Sequence, residues 1–323
     1  MRLSAGTRSA LATAVALGTI AVLGGCGSGS GPGDGSAVTL GFVNGDTSEF
    51  ATCLQKAVER TAKQEGARLL LANSHQEAGK ELSNIEDMIT HGVDALVVQT
   101  VNVDALEGAV AHAESAGVPI YLTSVATDDV SGILGAAVVD LHRLGEMDAG
   151  WVAKDAGGKP VKVGVVAGAP GAASDFMVSG FTEALPAGAD VVANQPAMFN
   201  PVKAQDVAQN MIQAHPDLDY VFVANEEMAL AVRKTFDAAG AHDVEIVTEN
   251  GTDAGLAAIR DGRLSATVAN SPKVIGETAI ERTLALLDDG APESGKAADK
   301  ITDIPLTMVT AENADDAPQY CDR

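Results

Sequence analysis

The stretch 204–230, AQDVAQNMIQAHPDLDYVFVANEEMAL, decides how this chain folds. Ala204–Ala214 carries its apolar residues at helical spacing, Tyr220–Ala224 (YVFVA) is a short unbroken apolar run, and a second helical pattern opens at Glu226 and runs to Ala239. A run that does not alternate between apolar and polar residues reads as a strand covered on both faces. Helix, buried strand, helix is the unit from which open parallel sheets are built.

The same alternation extends in both directions. Upstream, strands are expected at Val38–Val43, Arg68–Ala72, Asp94–Gln99 and Val118–Leu122, with helices at 48–66, Ala78–His91 and Ala105–Ala116. In the first helix Phe50, Leu54, Ala57, Val58 and Ala62 share one face. The pattern restarts after Asp140. Helices are expected at Leu141–Ala156, Asp175–Leu185, Ala254–Asp261 and Lys273–Asp288, and strands at Val161–Val166, Asp190–Ala193, Glu245–Thr248 and Leu264–Ala269. Two doubly wound α/β units follow. Ligands of such sheets sit beyond the carboxyl ends of the strands, so the loops there are the candidate site.

Composition narrows the function. The chain has 323 residues, 46% of them hydrophobic and 20% charged, enough for two packed domains. Aromatic residues are 3%, and the formal net charge is -23, from 44 acidic against 21 basic side chains. This surface repels phosphate backbones, so no nucleic-acid partner is expected. The acidity otherwise serves solubility. The six histidines are scattered without metal-ligand spacing, and no metal or cofactor is expected. No G-x-S-x-G elbow and no Walker loop occurs. Gly168-Ala-Pro-Gly171 follows a strand and reads as a tight strand-to-helix turn rather than an anion cradle. Glu226 and Glu227 point about 100° apart on a helix and cannot share one proton easily; Glu226 reads as an acid complementing the dipole at its helix start. Catalysis is not expected.

The N-terminus reads as an export signal over residues 1–25. Arg2 and Arg8 precede an apolar run from Leu11 to Leu23 that is short for a membrane span. Leu23-Gly24-Gly25-Cys26 resembles the lipobox of bacterial lipoproteins, which implies lipidation at Cys26. Residues 26–37 contain GSGSGPGDGS, a flexible tether between anchor and globular body. An extracytoplasmic protein held at the membrane is the expectation. Outside the cytoplasm the two remaining cysteines, Cys53 and Cys321, tend to oxidise, and a bridge between them would pin the polar tail; two free thiols are the alternative.

Particular residues carry a family resemblance. Gln209–Asp217, Tyr220–Asn225 and Glu226–Leu230 resemble the ribose-binding protein group of type I (cluster B) periplasmic sugar-binding proteins. Gln195-Pro-Ala with Phe199, Asn250-Gly-Thr252, and Leu264–Asn270 with Pro272 and Gly276 match as well, so the likeness spans Val38 to about Thr310. It implies a periplasmic-binding-protein-like I fold: two doubly wound parallel-sheet lobes joined by a three-crossing hinge. Residues 38–139 plus 271–302 would form one lobe and 140–270 plus 303–323 the other. It also implies a monomeric receptor that closes on a small polar ligand and delivers it to an ABC importer permease. LacI-type repressors share the fold but need a DNA-binding head.

The ligand positions implied by the resemblance are Ser48, Phe50, Gln99, Ser124, Asp175, Phe199, Asn225, Glu249, Asn250 and Asn270. Phe50 serves as a ring-stacking face or as the start of its helix's buried stripe; Asn225 is also placed to cap its helix. The family's Asp-Arg clamp is replaced by Ser124-Val125, and its second-lobe Arg falls at Asp175 or a near neighbour. Loss of both guanidinium forks argues against ribose itself. A neutral sugar or polyol is expected, with an amine-bearing ligand as the alternative, and anions excluded. A sensory receptor of the same fold and an exported enzyme are the competing functions.

Overall fold

The computed structural model describes residues 37–288 and 300–322. The expected signal peptide, lipidated Cys26 and most of the tether lie outside the described residues.

The first sheet contains β1 (Thr39–Asn44), β2 (Arg68–Asn73), β3 (Ala95–Val98), β4 (Ile120–Ser124), β5 (Gly135–Val138) and β11 (Ile301–Asp303), in the order β11-β5-β4-β3-β1-β2. All its pairings are parallel. The second sheet contains β6 (Val161–Ala167), β7 (Ala189–Pro196), β8 (Tyr220–Val223), β9 (Glu245–Asn250), β10 (Ala266–Ala269) and β12 (Thr307–Val309), in the order β12-β10-β9-β8-β6-β7. Here β12 is an antiparallel edge strand on β10. In each sheet the order reverses beside the first strand, between β1 and β3 and between β6 and β8. Loops diverge at these points and leave a crevice.

Three helices begin where their sequences place caps. In α1 (Glu49–Gln64) Ser48 Oγ accepts from Ala51 N; in α7 (Glu226–Ala238) Asn225 Oδ1 accepts from Met228 N; in α8 (Asp253–Arg260) Thr252 Oγ1 accepts from Gly255 N. Two of these caps, Ser48 and Asn225, face the crevice. The helix α4 (Leu141–Ala156) crosses α5 (Ala172–Ala184) at very short range. A Cβ on Gly145 would strike the Met177 carbonyl, and one on Gly180 would strike that of His142. Only glycine permits this approach, and it fixes which face of α5 meets the crevice.

Three features differ from the sequence expectations. First, β5, β11 and β12 were not expected. Gly135-Ala-Ala-Val138 has little β-branched content, and the other two have three residues each. Second, β11 continues through Asp303 in register with Val138, and Ile304 N still donates to Val138 O, so the third passage between lobes lies at 304–306. Third, residues 303–323 do not all belong to the second lobe. After the 3₁₀ turn at Ala314–Asp316 the tail returns to the first lobe, where Cys321 is disulfide-bonded to Cys53 of α1.

The first passage runs from β5 into α4, and the second from β10 into α9 (Pro272–Asp288), which packs on α1. One apolar core continues through these passages by way of Val125, Val139 and Leu141; a separate cluster around Ile85, Leu106 and Ile120 fills the outer face of the first sheet.

Candidate functional site

The carboxyl ends of both sheets converge on a cavity of about 90 Å³. Nine of the ten expected positions line it: Ser48, Phe50, Gln99, Ser124, Phe199, Asn225, Glu249, Asn250 and Asn270. Asp46, Leu141, Ala173 and Met177 complete the wall.

Asp175 does not join them. It is exposed and lines a separate groove with Asp104, Asp128 and Phe176. The expected helix start was three residues late. In a helix beginning at Ala172, Ala173 and Met177 stand four residues apart on one face and Asp175 points elsewhere. Ala173 and Met177 occupy the crevice side of α5, so no guanidinium stands there.

The first lobe contributes a polar rim and one ring. Asp46 Oδ1 accepts from Ser48 N at 2.7 Å, and Gln99 Oε1 accepts from Gly45 N at 3.2 Å, which ties the loops after β1 and β3 together. Buried Glu81 steadies the next loop by accepting from Thr100 Oγ1 and Val101 N. Ser124 adopts φ +70°, and its buried Oγ has no partner among the described residues. Phe50 is half-buried and packs edge-on against Tyr320, with ring centroids 6.5 Å apart.

Phe199 comes from the second lobe with φ +49°. Its ring lies flat over Gly168, occupying the space a Cβ there would fill. Gly168 is therefore glycine to seat the Phe199 ring, and its own φ is not left-handed. The reading of this segment as only a tight turn missed that, because the partner ring lies 31 residues further along.

The floor is acidic and buried. Glu249 Oε2 accepts from Asn250 Nδ2 at 2.7 Å and from Asn270 Nδ2 at 2.8 Å. Burial pushes the Glu249 carboxyl up to about 8, with the nearby Glu226 charge adding to the rise and the two amides opposing it. At neutral pH it is mostly a neutral acid. Both amides converge on Oε2, which leaves Oε1 to carry the proton. Asp148, fully buried on α4, has neither oxygen hydrogen-bonded among the described residues; desolvation and then Glu249 push it well above the carboxylate range. Glu226 does not serve its own helix start. It is buried, and its carboxyl accepts from Gly251 N and Thr252 N at 3.0 and 2.7 Å, at the start of α8. That pair braces the turn holding Asn250 at φ +134°, and Asn250 Oδ1 receives Glu226 N. Asn270 Oδ1 is buried without a partner among the described residues.

No Lys or Arg lines the cavity among the described residues, and no group of three or more metal-ligating side chains occurs among them. The wall offers one aromatic face per lobe, a thioether, and amide, hydroxyl and neutral-acid groups. That chemistry suits a small ligand with an apolar ring face and several hydroxyls.

Two facing α/β lobes around such a cleft define a solute-binding protein, and comparison supports this. A family model for the periplasmic binding protein domain matches residues 40–292, and the chain belongs to that family, as a type I sugar-binding protein resembling the ribose import binding proteins. The chain is 34% identical over 273 residues to the ribose import binding protein of Bacillus subtilis, covering 81% of this chain and 83% of that protein. It is 25% identical over 315 residues to the xylitol-binding protein of Mycolicibacterium smegmatis, covering 96% and 87%. Among solved structures, one from Mycobacterium smegmatis in complex with β-D-fucofuranose superimposes with a TM-score of 0.80 at 25% identity, covering 87% of this chain and 93% of that one. The family consists of binding proteins for transport rather than enzymes.

Proposed function

We propose that this chain is the extracytoplasmic receptor of an ABC importer, capturing a neutral sugar or polyol between its lobes and presenting it to a permease. The observation that carries the reading is the cavity wall: Phe50 and Phe199 beside Ser124 Oγ, Asn270 Oδ1 and the neutral Glu249. Unpaired buried polar atoms cost free energy that ligand hydroxyls recover. The ligands named for the relatives above, ribose, xylitol and β-D-fucofuranose, are neutral and polyhydroxylated. With Asp175 outside the cavity and Glu249 held protonated by burial, Asp46 is the one acid left in the wall to pair with an amine, and the neutral class is favoured.

The receptor is monomeric and held at the membrane by a lipid on Cys26, with the Gly/Ser segment as its tether. Mass spectrometry of the native protein tests the anchor; a cleaved, unmodified N-terminus refutes it. Calorimetric titration with matched neutral, amino and acid sugars tests the ligand class. Neutral compounds should bind, and micromolar binding of a sugar acid or sugar phosphate overturns the assignment.

A further inference from the structure

The C-terminal tail crosses from the second lobe to the first and ends behind the ligand cavity. It leaves the second lobe where Arg260 Nε meets Asp315 Oδ1 at 2.9 Å and Arg260 Nη2 donates to Ala314 O. At the hinge, Ser271 Oγ donates to Gln319 O at 2.6 Å and Lys273 N donates to Tyr320 O. It then docks on the first lobe, where Cys321 bonds Cys53 and Asp322 pairs with Arg60, which also holds Glu277 of α9.

Two consecutive tail residues therefore grip one helix face. Phe50 and Cys53 stand three residues apart on α1, so their side chains are neighbours. Tyr320 meets the Phe50 ring and Cys321 meets the Cys53 sulfur. Tyr320 is 5% exposed, and its hydroxyl has no partner among the described residues, so its contribution here is the ring. On its other side the tail holds Ser271, which follows the cavity residue Asn270.

We infer that the disulfide-anchored tail is a second layer of the ligand site: the Tyr320 ring is a positioning group that backs Phe50, and the tail backbone at Gln319 and Tyr320 holds the hinge passage beside Asn270. The consequence for ligand affinity rests on the sugar-receptor reading; the positioning itself does not. The tail links an oxidised thiol pair to the shape of the cavity. Losing the ring should loosen the start of α1, and losing the disulfide should loosen that start and the second passage together.

Hydrogen exchange read by mass spectrometry, on the full chain with its disulfide intact, tests this without any ligand. Tyr320→Ala should speed exchange about three- to tenfold over residues 46–53, Cys321→Ser should do so over 46–53 and 268–273, and both should leave β7 unchanged. Tyr320→Phe keeps the ring and should match the wild type. Wild-type rates at 46–53 in Tyr320→Ala overturn the inference, as does an increase spread evenly over both lobes. Should Cys321→Ser fail to fold, the Tyr320 pair decides alone. Titration with a panel of neutral sugars and polyols gives the affinity arm: a wild type that binds none of them counts against the sugar reading, while the exchange pattern still decides the positioning.

Discussion

Glu249→Gln should flatten the pH response of this protein's stability. Burial lifts the Glu249 carboxyl from an ordinary 4.5 to about 8. A carboxyl raised in the folded state takes up a proton on folding. Its stabilising contribution is therefore full near and below the unfolded value and is lost as pH rises through the folded one. Between pH 6 and pH 9 a single group shifted this far loses about 2–3 kcal/mol. The side chain is almost fully buried, so solvent screening removes little of this. For a chain of this size that is about 5 °C or more in Tm. Asp148 and Glu226 are raised in the same direction, chiefly by burial, and steepen the loss.

Glutamine is nearly isosteric with the neutral acid. Its carbonyl oxygen can accept from Asn250 and Asn270 as Oε2 does, and its amide places donors where the acid proton stands. It cannot ionise. By the same linkage the variant should match the wild type only near pH 4, where the carboxyl is protonated in both states, and its advantage should grow by about 2–3 kcal/mol between pH 6 and pH 9, with a flatter profile between. Urea denaturation at pH 6 and pH 9 measures the difference. Parallel profiles for the two proteins refute the argument, because they would mean that Glu249 is ionised throughout or hydrated.

Other outcomes follow from single contacts. Phe199→Ala should weaken binding of whichever neutral sugar titrates by about three- to tenfold through loss of ring stacking, and Gly168→Ala should do the same by displacing that ring, with calorimetry as the readout. Met177→Arg introduces a guanidinium beside Glu249 and should let a sugar acid bind where the wild type binds none; unchanged selectivity would show that α5 does not face the ligand. Reduction of Cys53–Cys321 should lower stability by about 2–5 kcal/mol in urea denaturation, and two alkylatable thiols in the unreduced protein would refute the bridge.

The lobes and most elements were legible because buried parallel strands announce themselves as unbroken apolar runs. Tyr220–Val223 and Ala95–Val98 are each buried at every position. The short hinge strands were not legible, since Gly135-Ala-Ala-Val138 is poor in β-branched residues and the three-residue β11 and β12 are too short to form an apolar run. Most of the site was legible through chain order, because loops after strands must face the crevice. The placement of α5 was not. The resemblance put the contact at Asp175 or a near neighbour, and a slip of two residues turns a helix by about 200°, which is what separates exposed Asp175 from inward Met177. The role of Gly168 and the return of the tail depend on contacts distant in sequence, which no local pattern encodes.

The same groups that select the ligand also set the condition for closing. Direct hydrogen bonds across the mouth are weak: Gln76 Nε2 to Met198 O and Glu49 N to Glu227 Oε2 are both 3.5 Å long. Against them stand Ser124 Oγ and Asn270 Oδ1, buried without partners among the described residues, each costing about 1–3 kcal/mol. Opening exposes such groups to water and removes the penalty. The cleft contacts alone therefore do not favour closure, and a ligand that satisfies the oxygens tips the balance. An anion cannot do so, because it would meet Asp46 and a carboxyl forced to ionise or donate, with no cation among the described lining residues. A hydroxyl can donate to Ser124 or Asn270 and accept from the Glu249 proton. Selection of neutral polyhydroxylated ligands and ligand-dependent closure are then two results of one arrangement of buried oxygens.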